Sequence, residues 1–505
     1  MTVSHTYELL ESPALQRLGQ FVHERERAWQ STTPRFEQFE GALHDHLMAL
    51  ERECLSAELA RYEVDAEQIE VEGISYHPVW VDTETYLTAA GEVQVERHLY
   101  RPAGHNAKSI CPLELRVGIV AGYWTPRAAR QGAWAMAQLT PGDAAALFVE
   151  WGAMSPSRSS LDRLPRELSR HWETKRDAWE VALRAQETVP EAAVSVALSL
   201  DGVMVPMKAK AAERVAKQQE VGKHASGPAG RQEAACGTVS LYDAEGERLQ
   251  TIRYARMPES KKVTLQAQLQ GEIEALAALR PDLRRVHLAD GAETNWERLT
   301  EIEATLGLPP KGRVEIVDFY HGCDHLKNGC DAIWGESTPR SHAEFVRLKT
   351  LLKEEDGGAD RIIRTFKHHA SRTTGHCQQR IQTELTYFRN QRPRMNYPEY
   401  LRQHLPIASG VVEAACKTLV TQRLKCSGMA WAPAGGQAIL TVRSLIQSER
   451  WSSAWTLLAA DFRQTITIVK PATATQFQNS LAAHVAVHPV TQHETEGYHA
   501  LPLAA

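Results

Sequence analysis

Apolar residues change their spacing several times along this chain, and those changes divide it. Residues 1–75 mix Glu, Arg, Leu and Ala in the manner of two or three helices. Between Tyr76 and Glu114 the period drops to two: "EVQVERHLYRP" alternates behind a "TAAG" turn, which predicts a small β-unit over 76–115. Helical spacing resumes over 116–190. There Thr140–Pro141 and Ser155–Pro156 repeat a cap-plus-proline start on either side of a Gly-containing turn, a helix-turn-helix-like layout. Pro165 is expected to keep the second of these helices short.

After Pro190 the texture is strand-like. "AAVSVALSLDG" is followed by two alternating runs joined by "DAEGE", a hairpin signal. A helix over about Ser260–Leu279, the strand "RRVHLADGA", a helix from about Asn295 and the strand "RVEIVDFYH" complete a β-β-β-α-β-α-β order. That order predicts an α/β fold, α+β overall: a mixed sheet with helices on its faces. Residues 191–321 form its first part and 322–405 a polar helical insertion. Residues 406–466 form its second part, and 467–505 a loose tail.

The acids stand at the ends of these elements. Asp201 closes the first strand and Asp290 the fourth, each followed by Gly. Ligands of open sheets gather beyond strand ends. Glu413 projects from "SGVVEAACKTLV", beside the apolar stripe Val411, Val412, Ala415, Cys416, Leu419 and Val420. Three carboxylates at one place repel each other unless a cation joins them. Mg²⁺, with Mn²⁺ as a substitute, suits oxygen ligands and phosphoryl transfer. Two plainer readings compete: Asp-Gly is an ordinary turn, and Glu413 has Lys417 four residues on as a partner.

Composition excludes little. The chain has 505 residues, 43% hydrophobic and 24% charged, with a formal net charge of −5, so any nucleic-acid affinity must be local. One such patch lies between Asp360 and Arg394, where eight Lys or Arg, Arg364, Lys367 and Arg372 among them, face two acids. Phe366, Tyr387 and Phe388 are interleaved and could stack on bases. Arg423 and Lys425 lie close to Glu413, and Arg158 and Arg163 fall on the second helix of the helix-turn-helix-like layout, where they are expected to reach base edges or phosphates. The eight cysteines form no CxxC pair, as expected of reduced cytoplasmic thiols. "HGCDHLKNGC" gathers His321, Cys323, His325 and Cys330 without the spacing of a familiar finger, so no zinc is expected. No secretory layout opens the chain and no apolar run reaches membrane-spanning length.

"SLDGVMV", "HLADGAETNWERL", "IVDFYH" and "SGVVEAACKTLVTQRLKCSGMAW" resemble the motifs of the ISKra-type family of bacterial insertion-sequence transposases. "CPLELRVGIVAGYWTPRAA" and "MSPSRSSLDRLP" resemble that family's N-terminal half. The resemblance implies a ribonuclease-H-like core in which Asp201, Asp290 and Glu413 are the metal-binding DDE acids. It places Asp318 and His321 in an accessory D-x-x-H element. It also implies element-end and target DNA as partners, an oligomer during synapsis, and a cytoplasmic, nucleoid-associated enzyme. Two departures stand out: "GMAW" replaces the family's basic "GMRW", and Lys208–Gly237 is longer and looser. A structure-specific nuclease of the same fold, a domesticated non-catalytic DNA-binding protein and a zinc-dependent module remain as alternatives.

Overall fold

A computed structural model describes residues 12–31, 33–103, 107–208 and 230–471. The expected loose segment falls largely in 209–229 and the tail largely in 472–505, both outside the described residues. The chain divides into two compact units, one of residues 1–126 with 462–505 and one of 127–461.

In the first unit, helices α1 (Pro13–Trp29) and α2 (Phe36–Ala60) precede strands β1 (Ala66–Val71), β2 (Ile74–Thr88) and β3 (Gly91–Pro102), and a short helix α3 (Pro112–Val117) follows. The sheet is antiparallel in the order β3, β2, β1, then the strand Thr467–Pro471. Two expectations are corrected. The region read as wholly helical contains β1, whose "AEQIEV" carries helix-favouring Glu and Gln but buries Ala66, Ile69 and Val71. The tail read as loose begins with a strand, because β-branched "TIV" supplies an edge for β1.

The second unit opens with helices α4 (Pro126–Gln138), α5 (Pro141–Glu150) and α6 (Arg158–Arg184). Thr140 Oγ1 caps α5 by accepting from Asp143 N at 3.2 Å. The cap of α6 is Ser157, two residues later than Ser155, and accepts from Ser160 N at 3.1 Å. Nor is α6 short: it has 27 residues and passes through Pro165. The proline forfeits one helical hydrogen bond. Burial of Leu161, Leu164, Pro165, Leu168 and Trp172 along one face offsets that loss.

Strands β4 (Ser195–Pro206), β5 (Arg231–Tyr242) and β6 (Arg248–Arg256) come next, then helix α7 (Val263–Leu279), β7 (Arg284–Ala289), helix α8 (Glu293–Thr305) and β8 (Arg313–Val317). The sheet order is β6, β5, β4, β7, β8, antiparallel among the first three strands and parallel from β4 through β8. This mixed sheet, with α7 and α8 as crossover helices, is a ribonuclease-H-like arrangement. Helices α9 (Phe319–Trp334), α10 (Pro339–Glu354), α11 (Gly358–Ala370), α12 (Gly375–Gln391) and α13 (Tyr397–Arg402) follow. Their inner faces extend the sheet's core through Leu326, Leu352, Ile362, Phe366, Leu385 and Phe388.

Helix α14 (Gly410–Ala415) continues as a π-helical stretch, Cys416–Thr421, and a last turn, Gln422–Leu424. Val412, Ala415, Cys416, Leu419 and Val420 seat it against Val205, Ala234, Cys236 and Met257 of the sheet. Helices α15 (Pro433–Gln447) and α16 (Trp451–Asp461) complete the unit. Among the described residues no helix is long and apolar enough to cross a membrane.

Candidate active site

Parallel pairing fixes the first relationship. β4 and β7 are in register from Ser195↔Arg284 to Ser199↔Leu288, and β7 and β8 from Arg285↔Arg313 to Ala289↔Val317. Extending the same register past the strand ends sets Asp201 beside Asp290 and Asp290 beside Asp318. The second step is carried by a backbone bond from Asp318 N to Ala289 O at 2.9 Å. Adjacent strands lie about 4.8 Å apart, so three carboxylate-bearing positions form one row across neighbouring strands. The row lies just past the C-terminal ends of β7 and β8 but midway along β4, which the sequence predicts to close at Asp201 and which instead runs on to Pro206 because it keeps pairing with β5.

Asp201 is half-buried. Its Oδ1 accepts from Gly202 N at 2.7 Å and its Oδ2 from the Cys416 thiol at 3.4 Å. Burial raises its pKa above the usual carboxylate range, and the nearby charges of Asp290 and Glu233 add to the rise. Cys236, opposite Asp201 on β5, shares a hydrogen bond with Cys416, and that bond together with burial pushes the Cys416 thiol far up.

Asp290 sits in a turn. Its Oδ1 accepts from Ala292 N and Asn295 Nδ2, both at 3.1 Å. Gly291 holds φ +95°, a backbone state that glycine adopts freely. The turn reading of this Asp-Gly therefore holds locally, and it leaves Oδ2 outside those two bonds.

Glu413 is exposed, one helical turn before Cys416. Its Oε1 accepts from Ser409 Oγ at 2.8 Å. Lys417 is exposed too, and no Glu413–Lys417 ion pair forms among the described residues. The π-helical stretch begins three residues after Glu413, and such insertions are frequent at functional sites.

Asp318 is 1% exposed and differs in kind from the other acids. It caps α9 by accepting from His321 N at 2.5 Å, and its Oδ2 accepts from Ser409 N. Both oxygens are committed to backbone. Among the described residues no three His, Cys, Asp or Glu side chains stand close enough together to hold a metal ion.

His325 and Tyr387, weighed separately in the sequence as part of a zinc candidate and as a base-stacking group, come together with Glu384 beside Asp290. His325 stacks on Tyr387 at 3.5 Å, with its Nδ1 2.6 Å from Glu384 Oε2. His321 meets both rings edge-on, at 5.0 Å from His325 and 6.1 Å from Tyr387. The Tyr387 hydroxyl is buried against Gly291 without a hydrogen-bond partner among the described residues, and burial followed by the charge of Asp290 raises its pKa. The His321–His325 spacing on one helix was the available signal; Tyr387 and Glu384 arrive from α12, 59 or more residues away. Cys323 and Cys330 lie buried on α9, their thiols pushed up to about 12 by burial.

The basic patch divides on inspection. Arg364, Lys367 and Arg372 are exposed and outside any ion pair among the described residues. Arg361, Arg392 and Arg394 are paired with Glu355, Asp360 and Glu315. The interleaved aromatics do not reach solvent as expected. Phe366 and Phe388 are fully buried, edge to face at 5.7 Å, because helical spacing turns them inward while the cations turn outward. Arg158, Arg163 and Lys425 are exposed, and Arg163 Nε donates to Ser159 O at 3.3 Å. Arg423 does not share that open surface. It is 2% exposed, and its Nε donates to Met136 O at 3.1 Å.

No family model and no curated protein matches the chain. Among solved structures, the Drosophila P element transposase strand transfer complex aligns with 71% of this chain and 86% of its own, at 10% identity and a TM-score of 0.25. A likeness that faint carries no weight for fold or function.

Proposed function

We propose that the chain is a DNA transposase of the DDE kind, acting on the ends of a mobile element by phosphoryl transfer. The observation that carries this reading is the strand register that sets Asp201 beside Asp290, with the Glu413 helix joined to Asp201 through Cys416. The motif resemblance supplies the substrate class.

The donor chemistry fits a hard divalent cation. Asp201 and Asp290 are neighbouring carboxylates whose mutual repulsion a cation relieves, and Glu413 offers a third oxygen donor on the helix packed against the β4–β5 side of the sheet. When bound, Mg²⁺ would activate the attacking oxygen and neutralise charge on the phosphoryl group. Asp201, Asp290 and Glu413 would hold it only once their side chains converge, since as they stand no three such groups among the described residues are close enough to share an ion. The chain's own part is positional. Burial holds Asp201 at a defined place on the strand, the Asn295 amide orients Asp290, and Ser409 restrains Glu413. Asp318, with both oxygens on backbone, ties β8 to the start of the Glu413 helix rather than facing a ligand.

The test is cleavage and joining with purified protein on DNA carrying the element's own ends, with Mg²⁺ or Mn²⁺ added. Asp201→Asn, Asp290→Asn and Glu413→Gln should each cut the rate by at least about 100-fold without loss of folding. Joined product from pre-cut ends marks a transposase; cleavage alone marks a nuclease of the same fold. Metal-dependent activity that persists in all three variants sinks the proposal, as does an intact protein that binds ends without cutting them.

A further inference from the structure

Beyond Asp201, strand β4 runs on towards a second place of interest. Trp431 is pinned beside its end by Lys208 N donating to Trp431 O at 2.9 Å and by Trp431 N donating to Pro206 O at 3.0 Å. Here α5, α6, α15 and the end of β4 line an open cleft of about 590 Å³. Three cations line it, Arg166, Lys208 and Arg423, together with the indole of Trp431. The one acid among its described lining residues, Asp162, is already bonded to Arg166 at 2.7 Å.

Arg423 makes the cleft unusual. Its guanidinium lies 5.4 Å from the Trp431 ring, gives Nε to the Met136 carbonyl and turns Nη1 towards the Met429 sulfur at 3.8 Å. No carboxylate touches it among the described residues; Asp162 and Asp143 act on it only through space. Behind it, Arg443 is 3% exposed and also lacks a carboxylate partner. Arg443 donates to the carbonyls of Leu419, Thr418 and Ala137. Burial, then the Arg423 charge, pulls the Arg443 pKa down to about 10. Two buried guanidiniums whose partners are neutral, carbonyl oxygens with the Gln138 amide oxygen and the Met429 thioether, are a costly arrangement that an anion would relieve. The wall of the cleft is where such an anion has access.

We infer that this cleft is a phosphate-binding site for a DNA strand, with Arg423 as its floor and Arg166 and Lys208 as its rim. The identity of the ligand as DNA rests on the function proposed above; the need for an anion does not. Lys208 stands seven residues from Asp201 along an extended strand, roughly 23 Å, or about seven base-pair steps of duplex. The cleft and the acid row are therefore two footholds for one nucleic acid, one holding and one cutting. Arg-to-phosphate contacts supply affinity that falls steeply with salt and is indifferent to sequence.

The experiment reads binding alone. Fluorescence anisotropy of a labelled single strand of mixed sequence is followed across a salt series, in Asp201→Asn protein so that no cutting intervenes. Adding Arg166→Ala and Lys208→Ala, both at rim positions outside the core, should lower the log–log salt slope by roughly 1.4, about 0.7 per lost phosphate contact. Arg423→Gln should weaken binding further, and is interpreted only if its thermal unfolding stays cooperative. An unchanged slope in the rim variant overturns the inference, and so does failure of the parent protein to bind the strand. A third arm measures thermal stabilisation by inorganic phosphate. Stabilisation that the rim variant loses, with an unaltered DNA slope, assigns the cleft to a free anion and overturns its assignment to DNA. Rim-dependent DNA binding in a protein that never cleaves DNA would leave the cleft standing and remove the transposase.

Discussion

Ser409 donates its hydroxyl to Glu413 at 2.8 Å, while its own backbone N–H is held by the buried carboxylate of Asp318. One residue thus links the end of β8 to the acid on the packed helix. Ser409→Ala should leave the chain folded but less stable by about 1 kcal/mol, the usual worth of one such bond. Released from its orienting partner, Glu413 should bind metal about 10–100-fold more weakly. A titration of cleavage rate against Mg²⁺ checks this, with Ser409→Thr, which keeps the hydroxyl, restoring the midpoint. An unchanged midpoint in the alanine variant would make Ser409 a helix-start residue and nothing more.

Much of this fold was legible because it is local. The strand order followed from alternation and turn chemistry, and the buried stripe of the Glu413 helix followed from its 3.6-residue period. What stayed hidden was long-range or depended on facing. Asp318 looks like Asp290 in sequence, each closing a parallel strand, yet one caps a helix underground and the other turns at the surface. Phe366 and Phe388 looked like stacking groups because composition does not say which way a helix faces. Arg423 looked like a surface cation for the same reason. Pro165 misled differently: a local rule predicted a helix end, and the packed face around it prevailed.

Gly291 carries the next expectation. It holds φ +95°, and a Cβ there would stand 3.2 Å from Tyr387 Cε2 and 3.3 Å from its hydroxyl. Gly291→Ala combines backbone strain of about 1–3 kcal/mol with pressure on the tyrosine that walls the turn. Both displace Asp290. Cleavage should fall about tenfold or more, while the melting temperature falls only modestly, as comparison of rate and thermal unfolding will show. A variant with full activity would place the turn outside the working site.

Glu180 on α6 predicts a pH effect far from the acids. Burial pushes its carboxyl up to about 7, against an opposing hydrogen bond from Gln268 Nε2 at 2.6 Å and the Arg184 charge. Because the folded pKa exceeds the unfolded one, the folded state holds the extra proton. Stability is therefore lost as pH climbs from about 4.5 through about 7. The loss should amount to a few kcal/mol. Glu180→Gln, which cannot ionise, should flatten that part of the curve and melt higher than the parent at pH values above 7. Parallel stability curves for the two proteins would show that Glu180 titrates normally.

Arg450 tests whether buried charge in this fold is paired by necessity. It is 5% exposed and bonds Glu272 through two nitrogens at 2.8 Å, Glu187 at 2.5 and 2.6 Å, and the Tyr254 hydroxyl at 2.7 Å. Burial alone would raise the pKa of Glu272; the hydrogen bond and charge of Arg450 reverse that and hold it below the usual range. Arg450→Ala should therefore cost about 3–5 kcal/mol, since it leaves the buried Glu272 carboxylate with only the Arg184 guanidinium at 3.3 Å and the Tyr254 hydroxyl at 2.6 Å. Arg450→Met with Glu272→Leu removes both charges and fills their space, so it should cost less than the single alanine change. Denaturant unfolding of the parent, Arg450→Ala, the single variants Arg450→Met and Glu272→Leu, and the double variant decides the point. A double variant that is as unstable as the sum of its parts would mean that the pair is valued for its bonds rather than for mutual neutralisation.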